Sequence, residues 1–267
     1  FMRLENRIAI VTGGGGGIGS GICRCLTREG ADIVVSDINT EKARKVVDEA
    51  EGMGRRALAV HSDVTDASSC DDLVAKSIEA FGQVDIVINN AGHFGTHVGG
   101  AVTDHPISAW DDNYDINVKG PFLLCRSVAD HMKGRRSGKI INISSVAAKR
   151  DPTFLPAYTA AKNALLSLTR LLAKDLGPHN INVNAICPGM LWTPFWESLA
   201  PKLAKTEKAF AGQEPREAFK QYIANAAPLQ REQTPEDIGN LVAFLASEEA
   251  CNITGQAINV DGGAAMS

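Results

Sequence analysis

The stretch Thr12-Gly13-Gly14-Gly15-Gly16-Gly17-Ile18-Gly19 decides how the rest of the chain is read. It follows the apolar run Ile8-Ala9-Ile10-Val11 and opens a helical pattern carried by Ile22, Cys25 and Leu26. Strand, glycine turn and helix, in that order, make a phosphate-binding context. Glycine allows a sharp turn and a close ligand approach because no Cβ stands in the way. The first helical amides then point unpaired at the ligand, and the helix dipole favours its negative charge. Five glycines in a row satisfy several loop patterns at once, so the run alone also fits a flexible turn.

The residues downstream sharpen the reading. Ala31-Asp32-Ile33-Val34-Val35-Ser36 has the pattern of a second strand, and Asp37 stands at its end, eighteen residues after Gly19. A carboxylate there accepts hydrogen bonds from an adenosine ribose and repels a 2′-phosphate. No Lys or Arg lies in the glycine loop, and Ile38 and Asn39 follow the aspartate. This chemistry favours NAD over NADP.

Composition narrows the class. A chain of 267 residues with 44% hydrophobic content fits one large α/β domain. The 27 Lys and Arg against 31 Asp and Glu leave a net charge of −4, with no basic block, so nucleic acid is not an expected partner. No apolar run reaches the ~18 residues of a membrane span. The first residues lead directly into a strand and leave no room for a signal peptide, so a cytoplasmic location is expected. Cys23, Cys25, Cys70, Cys125, Cys187 and Cys251 form no C-x-x-C pair and read as reduced thiols. His93-x-x-x-His97 lacks a third ligand at regular spacing, so no metal is expected.

Strand-like and amphipathic helical runs alternate along the chain. Strands are expected at 7–12, 32–36, 56–60, 84–88, 138–143, 181–186 and 256–260. Helices are expected at 18–29, 40–51, 68–81, 107–133, 154–176 and 235–247. Runs such as Asp85-Ile86-Val87-Ile88 and Lys139-Ile140-Ile141-Asn142-Ile143 suit strands buried on both faces of a parallel sheet. The expected fold is therefore a doubly wound α/β sheet of about seven strands with helices on both faces, as a single domain over 1–267. The stretch 190–228 stands apart as an insertion rich in aromatic residues, which either pack it down or cover a pocket.

In an open α/β sheet a ligand lies beyond the carboxyl ends of the strands. Ser62-Asp63-Val64, Asn89-Asn90-Ala91-Gly92, Ser144-Ser145 and Pro188-Gly189 stand at such ends. Asp63 is a candidate for the adenine amino group or, equally, for a helix cap. Asn90 and Gly92 make a tight turn whose backbone can lie along a cofactor. Tyr158-Thr159-Ala160-Ala161-Lys162 places a phenol and an ammonium on one helix face, one turn apart. Lowering a tyrosine from its ordinary ~10 by ~3 units takes about 4 kcal/mol of preferential phenolate stabilisation. A nearby cation in a partly dry cleft can supply much of it. Ser145, thirteen residues before Tyr158, can hold a substrate oxygen beside it. Asn117 is a polar group in an otherwise apolar helical stretch and can also bond back to its own helix.

Taken together, Thr12-Gly13-x-x-x-Gly17-Ile18-Gly19, Asp63-Val64, Asn89-Asn90-Ala91-Gly92, Asn117, Ser145, Tyr158-x-x-x-Lys162 and Pro188-Gly189-x-x-x-Thr193 occur in order from Arg7 to Gly263. In this the chain resembles the single-domain, Rossmann-like short-chain dehydrogenase/reductases. The resemblance implies that Tyr158 is the general acid/base and that Ser145 orients the substrate oxygen. It implies that Lys162 binds the nicotinamide ribose and depresses the tyrosine pKa, and that Asn117 carries a proton-relay water. It further implies a cofactor site at Gly13, Gly16, Gly17, Ile18, Gly19, Asp37, Asp63, Val64, Asn90, Ala91 and Gly92. Tyr158, Lys162, Pro188, Gly189, Met190, Leu191 and Thr193 complete it. Gly16 replaces a small polar residue usual in that loop, and His93 replaces an aliphatic one, bringing a polar group toward the substrate. Trp192 and Trp196 suit a lid over a compact substrate, or simply pack the insertion.

The reaction so implied is hydride transfer between NAD and a secondary alcohol or its ketone. The segments Trp192-Thr193-Pro194-Phe195-Trp196-Glu197 and Pro228-Leu229-Gln230-Arg231 resemble those of relatives acting on polyols, diols and hydroxyketones. A 3-oxoacyl thioester reductase is the alternative, and a non-catalytic NAD-binding sensor is the alternative from another class. The stretch from Asn252 to Gly263 resembles the family segment that packs between subunits, which implies a homotetramer.

Overall fold

The computed structural model describes residues 2–206 and 210–266, so three residues of the 190–228 stretch lie outside the described ones. The strands are β1 (Ile8–Thr12), β2 (Asp32–Asp37), β3 (Ala57–His61), β4 (Ile86–Asn89), β5 (Gly138–Ile143), β6 (Ile181–Pro188) and β7 (Ala257–Val260). All pair in parallel, in the order β3-β2-β1-β4-β5-β6-β7. The helices are α1 (Gly17–Arg28), α2 (Thr40–Gly52), α3 (Ala67–Phe81), α4 (Ile107–Tyr114) and α5 (Gly120–Arg135) in the first half. In the second half they are α6 (Ala147–Arg150), α7 (Pro156–Leu176), α8 (Pro194–Thr206), α9 (Pro215–Ala226) and α10 (Pro235–Ala246).

Strand alternation decides which helices lie on which face, because successive side chains point to opposite sides. Val11, Val35 and Ile88 join Ile22 and Leu26 of α1, Val46 of α2 and Val242 of α10 in one core. Their strand neighbours Ile10, Val34 and Val87 join Leu73 of α3, Leu124 of α5 and Leu176 of α7 in a second. A sheet apolar on both faces thus acquires a helical layer on each, as expected from the sequence. The third cluster gathers Met190, Trp196, Leu199, Phe219 and Tyr158, joining α8 and α9 to residues that follow the strand ends.

Two elements differ from the sequence expectation. The stretch read as one helix over 107–133 contains a π-helical segment, Asp115–Lys119, between α4 and α5. Pro121 has no N–H to give to the Asn117 carbonyl four residues earlier, and that missing bond favours a local change in helical pitch. The helix expected from 154 starts at Pro156, and the short helix α6 precedes it, directly after Ser145.

Candidate active site

Strand order reverses at β1, between β2 and β4, and a crevice opens where neighbouring connections leave in opposite directions. The loop after β1 and the turn after β4 are bonded together across it. Asn90 Nδ2 donates to the carbonyls of Thr12 at 2.9 Å and Gly13 at 3.1 Å. Thr12 Oγ1 in turn accepts from the Asn90 and Ala91 amides at 3.0 and 3.1 Å. Asn90 is therefore a staple of the glycine loop, a role its place in a tight turn did not reveal. A Cβ on Gly19 would run into the Gly13 carbonyl, so this loop closes only with glycine at that position. Gly13 and Gly17 have φ of +59° and +53°.

The residues present fit a dinucleotide. Helix α1 has no side-chain cap at Gly16 and no acidic residue in its first turn, so its leading amides are left for an external acceptor. Gly16 is extended and a Cβ there would meet nothing within 4 Å, so the departure noted in the sequence removes no internal contact. Asp37 Oδ2 accepts from Gly15 N at 3.0 Å and Oδ1 from Asn39 N at 2.8 Å, leaving each oxygen a further lone pair. Asp37, Asp63, Val64, Ala91 and Gly92 line one cavity of about 650 Å³, and no Lys or Arg among the described residues lines it. Asp63 Oδ1 accepts from the Thr65 amide and hydroxyl at 2.9 and 2.8 Å. Those bonds, the amide first, lower its carboxyl below the usual range. The helix-cap alternative for Asp63 falls instead to Asp66, which caps α3 through Ser68 N.

The reacting groups lie past the end of β5. A buried polar chain sets α7 against the sheet: Asn89 Nδ2 donates to Asn142 Oδ1 at 2.8 Å, and Asn142 Nδ2 to Thr169 Oγ1 at 2.9 Å. Ser144 Oγ adds a bond to the Lys162 carbonyl at 2.9 Å. Ser145 and Tyr158 line one cavity, and the neighbouring serine hydroxyl favours the phenolate. Burial outweighs that effect and pushes Tyr158 up to about 12. Lys162 is also buried, its Nζ donating to the Ile143 carbonyl at 2.9 Å, and burial brings it down to about 8. The sequence led us to expect a lowered tyrosine. The structure instead raises it, because dehydration dominates and the ammonium lies 5.7 Å from the ring centroid.

Asn117 is fully buried and does bond back to its own helix, Nδ2 to the Asn113 carbonyl at 3.0 Å. The same nitrogen donates to the His93 carbonyl at 2.7 Å, and Oδ1 accepts from His93 N at 3.3 Å. A Cβ on Gly92 would stand 3.1 Å from Asn117 Oδ1 and 3.2 Å from Lys162 Nζ, so glycine is what lets this turn close over both. The His93 ring accepts from Gly95 N through Nδ1, at 3.0 Å, and burial lowers its pKa, with Lys202 acting the same way. It lines the larger cavity with Gly92, and is not among the residues around Tyr158 and Ser145.

A second cavity, of about 110 Å³, is bounded by Ser145 and Tyr158, by Ile18, Leu191 and Thr193 toward the glycine loop, and by Trp196 from the insertion. Pro188 and Gly189 also line it, while Gly189 N is tied to the Val260 carbonyl at 2.9 Å. Trp192, read from the sequence as a lid residue, does not line this cavity. Its ring packs on Phe219 with centroids 5.0 Å apart and lies under Arg216, whose guanidinium is 4.8 Å from the ring centre. Arg216 pairs with Glu232 at 2.6 Å, and Glu232 Oε1 accepts from Trp192 N at 3.2 Å, so Trp192 fastens the insertion down. Met190 lines the cavity as well, and so do Phe154, Phe195 and Tyr222, which were missed as site residues. Aromatic content flagged the insertion, but nothing in the sequence said which rings face inward.

Among the described residues no group of His, Cys, Asp and Glu is placed to hold a metal, and no helix is long and apolar enough to cross a membrane.

Similarity to known proteins follows the same lines as the geometry. A family model described as "Enoyl-(Acyl carrier protein) reductase" matches residues 14–265. Galactitol 2-dehydrogenase of Agrobacterium fabrum (strain C58) is 39% identical over 267 residues, covering 100% of both chains. Sorbitol dehydrogenase of Cereibacter sphaeroides is 37% identical over 267 residues, again covering 100% of both. Among solved structures, NAD+-bound xylitol dehydrogenase superposes with a TM-score of 0.91 at 31% identity, over 98% of this chain and 100% of that one.

Proposed function

Because this chain belongs to the short-chain dehydrogenase/reductase family, we propose that it is an NAD-dependent oxidoreductase interconverting a secondary alcohol and its ketone. The substrate class is that of polyols, diols and hydroxyketones, the class of the similar galactitol, sorbitol and xylitol enzymes. The observation that carries this reading is that Ser145 and Tyr158 line one cavity together with Ile18 of the glycine loop.

NAD, when bound, supplies the acceptor for the carbinol hydride. The α1 amides at Gly17, Ile18 and Gly19 hold its pyrophosphate, Asp37 its adenosine ribose and Asp63 its adenine. Val64, Asn90, Ala91 and Gly92 lie along it, and Pro188, Gly189, Leu191 and Thr193 flank its nicotinamide. Ser145 Oγ holds the substrate oxygen. Tyr158 Oη exchanges the proton with that oxygen, taking it in oxidation and giving it in reduction. Lys162 binds the nicotinamide ribose and adds positive charge behind the phenol. Asn117 positions the turn at Gly92–His93 and, through a bound water, relays protons to the lysine. Trp196 walls the substrate, and the 190–228 insertion covers it.

Mixing the protein with NAD and a panel of secondary alcohols should generate NADH absorbance at 340 nm; no signal from any member would end the dehydrogenase reading. Asp37→Ala should narrow the preference for NAD over NADP in kcat/KM, since it removes both the ribose acceptor and the repulsion of a 2′-phosphate. A wild type that prefers NADP would contradict that assignment. The Asp37 carboxylate likewise weighs against a 3-oxoacyl thioester reductase, which usually draws on NADP. Conversely, the intact Ser145, Tyr158 and Lys162 weigh against a non-catalytic sensor. We place the enzyme in the cytoplasm as a homotetramer; sedimentation showing only monomer at micromolar concentration would refute the assembly.

A further inference from the structure

We propose that the substrate carries an anionic group, a carboxylate, beside the reacting carbinol, and that Arg150 recognises it. This deepens the dehydrogenase reading above and rests on it. Apart from Ser145, Tyr158 and a few hydroxyls, the wall of the second cavity on the substrate side is hydrocarbon: Val146, Pro152, Phe154, Leu155, Met190 and Phe195.

One charged side chain lines this cavity, Arg150, and no Asp, Glu or Lys among the described residues joins it. Arg150 is the last residue of α6, five residues after Ser145, so the turn that presents the serine hydroxyl also brings this exposed arginine to the rim of the same cavity. Its neighbour Lys149 is directed elsewhere, with Nζ donating to the Ala257 carbonyl of β7 at 3.1 Å. Several arginines elsewhere are paired: Arg216 with Glu232, Arg135 with Asp85, Arg24 with Glu236. Among the described residues Arg150 has no ion-pair partner. A guanidinium presents a planar fork of donors that matches a carboxylate bidentately. The site therefore favours a hydroxylated substrate that also bears a carboxylate: carbinol at Ser145 and Tyr158, carbon frame against the aromatic wall, carboxylate at Arg150 on the rim.

Matched pairs test this, because one skeleton can end in a carboxylate or a hydroxymethyl group. The pairs are 2-hydroxybutyrate with butane-1,2-diol, 3-hydroxybutyrate with butane-1,3-diol, and 4-hydroxypentanoate with pentane-1,4-diol. Calorimetric titration into the NADH-loaded protein reads binding without oxidation, and NADH production in NAD reads turnover. In at least one pair the acid should bind roughly tenfold or more tighter than its diol, the scale of a charge-assisted hydrogen bond. Arg150→Gln should remove most of that advantage, and Arg150→Lys should keep part of it, both mainly through KM. Diols binding as tightly as acids in all three pairs would overturn the proposal. So would Arg150→Gln weakening acid and diol alike, or no binding by any member. A binding preference for the acid without NADH production from any alcohol would leave the anion site standing and remove the dehydrogenase reading instead.

Discussion

Tyr158→Phe should cut turnover by about 10³-fold or more while leaving NAD affinity near the wild-type value. The phenol oxygen is the atom at which the proposed proton exchange occurs, and positioned acid–base groups contribute roughly 10²–10⁴-fold. The ring itself packs in the third core cluster, where its centroid lies 5.5 Å from that of Phe195. Phenylalanine keeps that contact and loses only the hydroxyl, so the fold should survive and the comparison should report chemistry. The Ser145 hydroxyl keeps its bond from Ala147 N at 3.1 Å. Steady-state kinetics and a cofactor titration on the same preparation separate the two effects, and unchanged kcat would remove Tyr158 from the mechanism. The wild type also carries a pH signature. Burial pushes the phenol up to about 12 and keeps it protonated, which suits proton donation during reduction. Oxidation needs the phenolate, so its rate should climb with pH while reduction is favoured at lower pH.

Lys162→Met should make the protein more stable at pH 7 and leave it nearly inactive. Below pH 8 the lysine is charged in both folded and unfolded states, but in the folded state that charge is buried, with the Ile143 carbonyl as its hydrogen-bond acceptor. A folded pKa of about 8 against 10.5 corresponds to a cost of about 3 kcal/mol. Methionine matches the lysine in reach and has no charge to dehydrate. After allowing about 1 kcal/mol for the lost hydrogen bond, a gain of about 1–2 kcal/mol remains, or a Tm higher by a few degrees. Between pH 8 and 10.5 the unfolded lysine holds a proton that the folded one has released, so wild-type stability rises with pH across that window. Tyr158 acts oppositely above pH 10, where the folded phenol keeps a proton the unfolded one has lost, and stability falls toward pH 12. Melting curves at pH 7 and 9.5 for both proteins check this: the rise should appear in the wild type and vanish in the variant. A variant less stable than wild type at pH 7 would show that the lysine's bonds outweigh its dehydration. The site is thus held at a cost in stability, the usual trade at a working centre.

Much of this was legible in the chain itself because the signals are local. The continuous apolar runs Ile8–Val11 and Ile86–Ile88 and the glycines at the end of β1 depend on residues a few positions apart. The four-residue spacing from Tyr158 to Lys162 is equally local. The π-helical segment also had a local cause in Pro121, four residues after Asn117, although the reading of one long helix passed over it. Asn90 was placed correctly at a strand end, but its bonds to Thr12 and Gly13 span 78 and 77 residues of sequence and carry no local mark.

By itself, the sequence determined the order of strands and helices, the parallel sheet and the family, since these follow from short-range periodicity and motif spacing. The tertiary structure alone decided which insertion rings face the cavity, that Trp192 anchors where Trp196 lines, and that Arg150 reaches the wall beside Ser145. It also decided the protonation of the central pair: burial depends on every layer that closes around a group, and dehydration raised Tyr158 and lowered Lys162 against the reading that spacing alone had suggested.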